Sequence, residues 1–148
     1  MALTRDKMEA AIRGYFDACN RADADRICSY FTPDGTHYFP DGSPFGALRG
    51  ARSIADCWVR CVRDLGSHWT VDNVVADPAS GQAVIEWTHF KAKVGQILRG
   101  DEWYAFEPDG RIREIRAYYA SATHPGRSVH AIAGFDYAGR GYPMAPPK

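Results

Sequence analysis

The chain has 148 residues, of which 18 are basic and 18 acidic, so its formal net charge is zero. That balance excludes the electrostatic footprint of a nucleic-acid binder, and no apolar run approaches the ~18 residues of a membrane span. The N-terminus, Met1-Ala2-Leu3-Thr4-Arg5-Asp6, carries no apolar signal core, and the expected setting is the cytoplasm.

Met8, Ala11, Ile12, Tyr15, Phe16 and Cys19 recur at helical spacing. They predict an amphipathic helix with Thr4 as its N-cap. Residues 22–31 predict a second, shorter helix with Ile27, Tyr30 and Phe31 on one side, ended by Pro33-Asp34-Gly35. Thr36-His37-Tyr38-Phe39 reads as a short β segment closed by Pro40-Asp41-Gly42, and 43–50 as loop. A third helix carries Ile54, Cys57, Trp58, Cys61, Val62 and Leu65 on its inner face, with Gly66 as the stop. Four strands follow, at His68 to Ala76, Gln82 to Val94, Gln96 to Phe106 and Ile112 to Ser121. Their spacing is that of consecutive antiparallel hairpins.

Three N-terminal helices followed by a long meander define an α+β chain, with the helices on one face of a curved antiparallel sheet. Such a sheet makes a cone-shaped barrel, and its interior is a natural ligand pocket. Residues 1–121 are expected to form this single domain. Residues 122–148 are a C-terminal extension in which Phe135, Tyr137 and Tyr142 fall within eight residues. So dense an aromatic group predicts packing, over the pocket mouth or against a partner subunit.

The cysteines, at 19, 28, 57 and 61, form no Cys-x-x-Cys pair and have no histidine at ligand spacing. They read as small hydrophobes, with no metal expected. No Gly-x-Gly-x-x-Gly, Walker or Gly-x-Ser-x-Gly sequence occurs, so neither nucleotide cradling nor a serine nucleophile is indicated and no cofactor is expected.

The most informative stretch runs from Arg99 to Ile112. In Asp101-Glu102-Trp103-Tyr104-Ala105-Phe106 an acid stands among aromatic residues on a strand, before a Glu107-Pro108-Asp109-Gly110 turn. Glu102, Tyr104 and Phe106 share one parity and Asp101 has the other. If the Glu102 face is inside, a carboxyl sits among apolar rings, where burial disfavours its charged form. If the other face is inside, or a bulge shifts the parity, Asp101 is the pocket acid. Among the five histidines, His89 shares parity with Ile85 and Trp87, and His68 opens the first long strand; these two rank first as candidate bases. His37 lies beside Tyr38 and Phe39. Tyr38, Phe39, Trp58, Trp87, Tyr104 and Tyr119, with His37 and Asp101, are expected to line the pocket.

The order of elements over roughly residues 5–121, with these turns, resembles the nuclear transport factor two-like superfamily. That group includes SnoaL-like polyketide cyclases, scytalone dehydratase and the ketosteroid isomerases. The segment Tyr15 to Asp23 is similar to the isomerase helix that carries a catalytic tyrosine, which hydrogen-bonds the substrate oxyanion; Tyr15 stands at that place. Glu102 stands where the isomerases carry a protonated aspartate, a worked example of a carboxylic acid kept neutral to donate a hydrogen bond. At the place of the isomerase base, an aspartate before a proline, this chain has Phe39. A phenylalanine accepts no proton, so the isomerase proton shuttle is not carried over.

The resemblance implies a cofactor-independent lyase or isomerase acting on a small hydrophobic, aromatic or polycyclic hydroxy or carbonyl compound, by dehydration, aldol cyclisation or retro-aldol cleavage. Tyr15 and Glu102 would stabilise an oxyanion, and His89 or His68 would act as base. The alternative is a non-catalytic ligand-binding or accessory protein of the same fold. The resemblance also implies a homodimer, in which a sheet-face contact would cover Trp103.

Overall fold

A computed structural model describes residues 2–148. Helix α1 (Arg5–Asn20) starts where the Lys7 N–H donates to Thr4 Oγ1 at 3.3 Å. Helix α2 (Ala24–Ser29) is capped by Asp23, and α3 (Ala51–Leu65) ends at Gly66 with φ 64°. At Gly66 only a residue without a Cβ adopts the left-handed conformation freely. The strands are β1 (Phe31–Tyr38), β2 (Leu48–Arg49), β3 (Ser67–Asp77), β4 (Gln82–Lys91), β5 (Gln96–Phe106), β6 (Ile112–Tyr119) and β7 (Val129–His130). A single 3₁₀ turn at Ala92–Val94 ends β4 earlier than its apolar pattern implies.

The sheet order is β2-β1-β6-β5-β4-β3. The meander β3 to β6 is antiparallel throughout, as expected, while β1 joins β6 in parallel and β7 pairs with the start of β5. The sheet is curved and remains open at β2 and β3, so the cone is not a closed barrel. The three helices cover one face, here called the inner face. Met8, Ile12 and Tyr15 of α1, Ile54 and Cys57 of α3, and Ile85 and Ile115 of the sheet are buried between them.

Two register shifts depart from the simple strand pattern. In β3, Val71 faces Trp87 and Asn73 faces Glu86, so Asp72 is an extra residue. The bulge lets Trp69 and Val71 share the inner face with Val74 and Ala76. In β1, Phe31 pairs with Ile112 and Thr36 with Glu114, leaving residues 32–35 out of step. Pro33-Asp34-Gly35 therefore lies within the strand and does not end a helix reaching residue 31; α2 stops at Ser29. The bulge tolerates a proline that donates no N–H. At Gly35 a Cβ would lie 3.1 Å from both the Phe31 ring and the Thr32 carbonyl.

The extension 122–148 lies on the outer face of its own sheet, and none of its residues lines the inner cavity. Arg99 anchors it: Nη2 donates to the Pro143 carbonyl at 2.8 Å, Nη1 to Thr88 Oγ1 at 2.8 Å, and the guanidinium stacks 4.1 Å from the Tyr137 ring centre. Tyr142 adds a hydroxyl bond to Glu86 Oε1 at 2.7 Å. The rings of Phe135, Tyr137 and Tyr142 pack edge-to-face on one another on this face.

Helix α1 is fastened to β3 by two side chains: Arg13 Nη1 donates to the Val71 carbonyl at 3.3 Å, and Asn20 makes the shorter, paired contact. Asn20 Nδ2 donates to the Trp69 carbonyl, and the Trp69 N–H donates to Asn20 Oδ1, both at 2.8 Å. Asn20→Ala would leave both backbone groups short of a partner, and the expected cost is about 1–3 kcal/mol. Urea unfolding of the variant checks this; an unchanged midpoint would mean that the clamp contributes nothing.

Candidate active site

The inner cavity lies between α1, α3 and the sheet, with about 470 Å³ of space free of protein atoms, part of it open to solvent. Its walls are mostly aromatic. Trp58 is the hub: its ring packs edge-on against His37, Phe39, Phe45 and Trp69 at centroid distances of 5.3 to 6.1 Å.

Tyr15 projects from the buried stripe of α1 into this cavity. Its oxygen accepts a 2.7 Å hydrogen bond from Trp58 Nε1, so the phenol proton remains to be donated, to the neighbouring Cys19 or to a ligand. Burial, followed by the Cys19 and Glu102 charges, holds the Tyr15 hydroxyl well above the ordinary tyrosine range. It is therefore a neutral donor at physiological pH.

Glu102 is buried on the same wall. Tyr104 donates its hydroxyl to Glu102 Oε2 at 2.6 Å. Burial first, then the neighbouring carboxyl, keeps Tyr104 protonated. Oε1 has only His37 nearby: Nε2 lies 3.5 Å away without hydrogen-bond geometry, and neither ring nitrogen of this fully buried histidine has a partner. The carboxyl thus has one oxygen engaged and one available. Trp87, on the adjacent strand, also keeps a buried indole N–H without a partner.

His89 lies flat on Trp69, with ring centroids 4.4 Å apart, and its Nε2 is 2.7 Å from Ser67 Oγ. Burial, and secondarily the Lys91 charge, push its pKa well below the usual histidine value, so the ring is neutral at pH 7.

Of the residues expected here, Tyr15, Glu102, His89, Phe39, Trp58, Trp87 and Tyr119 line the cavity. Tyr104 and His37, also expected to line the cavity, do not: they stand behind its wall, next to Glu102. Three further expectations are corrected. His68 is opposite Phe90, one residue out of step with the inward pair Ser67 and Lys91, so it is on the outer face. Asp101 is opposite Glu86 and also faces outward, beneath the extension. Tyr38 points away because His37 and Phe39 on either side of it point in. Residues not anticipated include Trp69, Phe45, Leu98 and Lys91. Lys91 shares the parity of Trp87 and His89, a signal that was present in the sequence. Trp69 and Phe45 had none, since one depends on a bulged strand and the other on a loop.

Among the described residues no three His, Cys, Asp or Glu side chains converge as metal ligands. All four cysteines are free. No described helix is long and apolar enough to cross a membrane.

The fold and the inward-facing cavity are those of a SnoaL-like protein. The family model for the SnoaL-like domain matches residues 12–115, and the chain belongs to that family. A protein of unknown function with a cystatin-like fold, from Methylobium petroleophilum PM1, is 46% identical; the match covers 100% of this chain and 98% of that one, with TM-score 0.80. A SnoaL-like protein of unknown function from Burkholderia thailandensis E264 is 24% identical over 82% of this chain and 100% of its own, with TM-score 0.65. The epoxide hydrolase/cyclase-like enzyme SalBIII, from pyran ring formation in the polyether salinomycin, is 16% identical over 77% of this chain and 91% of its own, with TM-score 0.64. No curated protein matches the chain.

The buried phenols make a pH prediction. Tyr15 and Tyr104 are both raised in the folded state, so they keep their protons where an unfolded chain loses them, above about pH 10. Their contribution to stability is full below that pH and is lost as pH rises through it. Urea midpoints should fall on the alkaline side, and less steeply for Tyr15→Phe than for the parent. Equal slopes in the two proteins would place Tyr15 in a solvated setting.

Proposed function

We propose that this chain is a cofactor-independent lyase or isomerase. It uses acid–base chemistry on a small hydrophobic, aromatic or polycyclic hydroxy or carbonyl compound. The observation that carries this reading is that one aromatic-walled cavity holds three complementary groups: a phenol whose acceptor side is already filled, a carboxyl with one free oxygen, and a neutral imidazole. Family membership supports the same broad class.

In this reading the aromatic walls grip the substrate's rings. Its carbonyl oxygen accepts from Tyr15 Oη–H and, when the carboxyl carries a proton as the resemblance to the isomerases implies, from Glu102. His89 takes a proton from the adjacent carbon, and the electron pair moves onto the oxygen. The donors are in place before charge develops, so they stabilise the enolate more than the ketone without reorganising. Dehydration, aldol cyclisation and retro-aldol cleavage all pass through such a charge. Phe39 supplies a wall and no base, and His89 on the opposite side of the cone takes that task. Trp103 and Val75, both left exposed on the outer face, support a homodimer formed through that face.

Removing one preorganised oxyanion donor typically costs ~10²–10³-fold in rate. Tyr15→Phe and Glu102→Gln should each lower kcat/KM by about that factor on a substrate found by screening aromatic hydroxyketones. Because His89 is depressed, the acid limb of kcat/KM should lie below the ordinary histidine pKa of about 6.5, with activity constant from there to neutrality. Full activity in both variants would mean that Tyr15 and Glu102 do not carry the chemistry.

A further inference from the structure

Lys91 is the one lysine or arginine among the cavity-lining residues. It ends β4 on the inner face, two residues beyond His89, opposite Ser67 on β3 and Gln96 on β5. Cys61 of α3 is the titratable group nearest it from the helical side. Half-buried though it is, its ammonium has neither a hydrogen bond nor a carboxylate within 4 Å among the described residues. The nearby Lys93 behaves differently: its ammonium is tied to the Arg63 carbonyl, outside the cavity. A lysine in a partly dry aromatic cavity with no counter-ion is poorly placed to serve as a structural cation. It is well placed to serve as an amine.

We propose that Lys91 is a covalent capture site for carbonyl ligands, forming a Schiff base inside the inner cavity. The inference rests on the carbonyl-substrate reading above and deepens it. The Nζ lone pair attacks the carbonyl carbon, and the amine proton passes to the carbonyl oxygen, giving a carbinolamine. Loss of that hydroxyl as water, with a proton supplied by a cavity acid, leaves an iminium. The iminium nitrogen then accepts the electron pair of a neighbouring C–H or C–C bond, whose proton passes to His89 or whose carbon fragment leaves as an aldehyde, giving an enamine. The enamine carbon takes back a proton, and water adds to the resulting iminium and releases the ketone or aldehyde and the free lysine, so no oxidant or reductant is consumed. Burial lowers the Lys91 pKa, which raises the fraction of free amine available for attack. Glu102 and His89 line the same cavity and can carry the protons of carbinolamine dehydration.

The simpler role for such a residue is a stem laid along an apolar wall with its ammonium in solvent. Trapping separates the two. The chain has four lysines, at 7, 91, 93 and 148, so peptide mapping resolves each one. The full-length protein is treated near neutral pH with a limiting amount of 2-naphthaldehyde and sodium borohydride, whose hydride adds to the iminium carbon and fixes it as a secondary amine. The expected result is label on Lys91 at least ~10-fold above that on Lys93, since the lower pKa and apolar setting both favour iminium formation there. Lys91→Arg, which keeps the positive charge, should abolish the selective label while Lys7, Lys93 and Lys148 react as before. Label spread evenly over the four lysines, or an unchanged total in Lys91→Arg, would overturn the proposal. The readout needs no turnover. If Tyr15→Phe and Glu102→Gln keep full activity while Lys91 is still trapped, the acid–base reading fails and the amine site stands.

Discussion

The hydrogen bond from Trp58 Nε1 to Tyr15 Oη joins the two long helices across the inner face of the sheet. Each partner is buried, and each satisfies the other's polar atom. Breaking the bond from either side would orphan a buried group, at about 1–3 kcal/mol. The same bond sets the chemistry. It fills an acceptor position of the phenol and leaves the hydroxyl proton as the one it can donate, to Cys19 or to a ligand. Structure and function therefore make the same demand on Trp58, whose ring also supports Phe39, Phe45 and Trp69.

Glu102 is organised by a similar logic from the sheet side. Tyr104 and His37 stand behind it, so its environment is set by residues that no substrate touches. His37 is the less expected of the two. It lies flat against Phe39, 4.3 Å between ring centroids, and is fully buried. A wall of phenylalanine with an imidazole behind it replaces the carboxylate that the resemblance to the isomerases would lead one to seek. In the proposed reading the donors come from α1 and β5 and the base from β4.

Much of this was legible from residue order. The spacing of Met8, Ile12 and Tyr15 placed the phenol on the buried side of α1, and the alternation of Glu102, Tyr104 and Phe106 placed the carboxyl once its face was known. The same alternation rule excludes Tyr38, since neighbours on a strand cannot both point inward and His37 and Phe39 do so. His68 was misplaced by a single residue of register, fixed by Ser67 pairing with Lys91. Bulges were not legible: the extra Asp72 and the out-of-step residues 32–35 carry ordinary turn or strand composition, and only long-range pairing reveals them. Where the extension lies depends on Arg99, whose partners lie 44 residues away or on another strand, and no local pattern reveals that.

The central claim is that the cavity recognises an oxygen atom carried by an aromatic skeleton. Calorimetric comparison of 2-naphthol with naphthalene, on the parent and on Tyr15→Phe, tests it most directly. The hydroxyl should strengthen binding by about tenfold, consistent with a neutral hydrogen bond in a dry site, and that advantage should vanish in the variant. Equal affinity for the two ligands in the parent protein would contradict it.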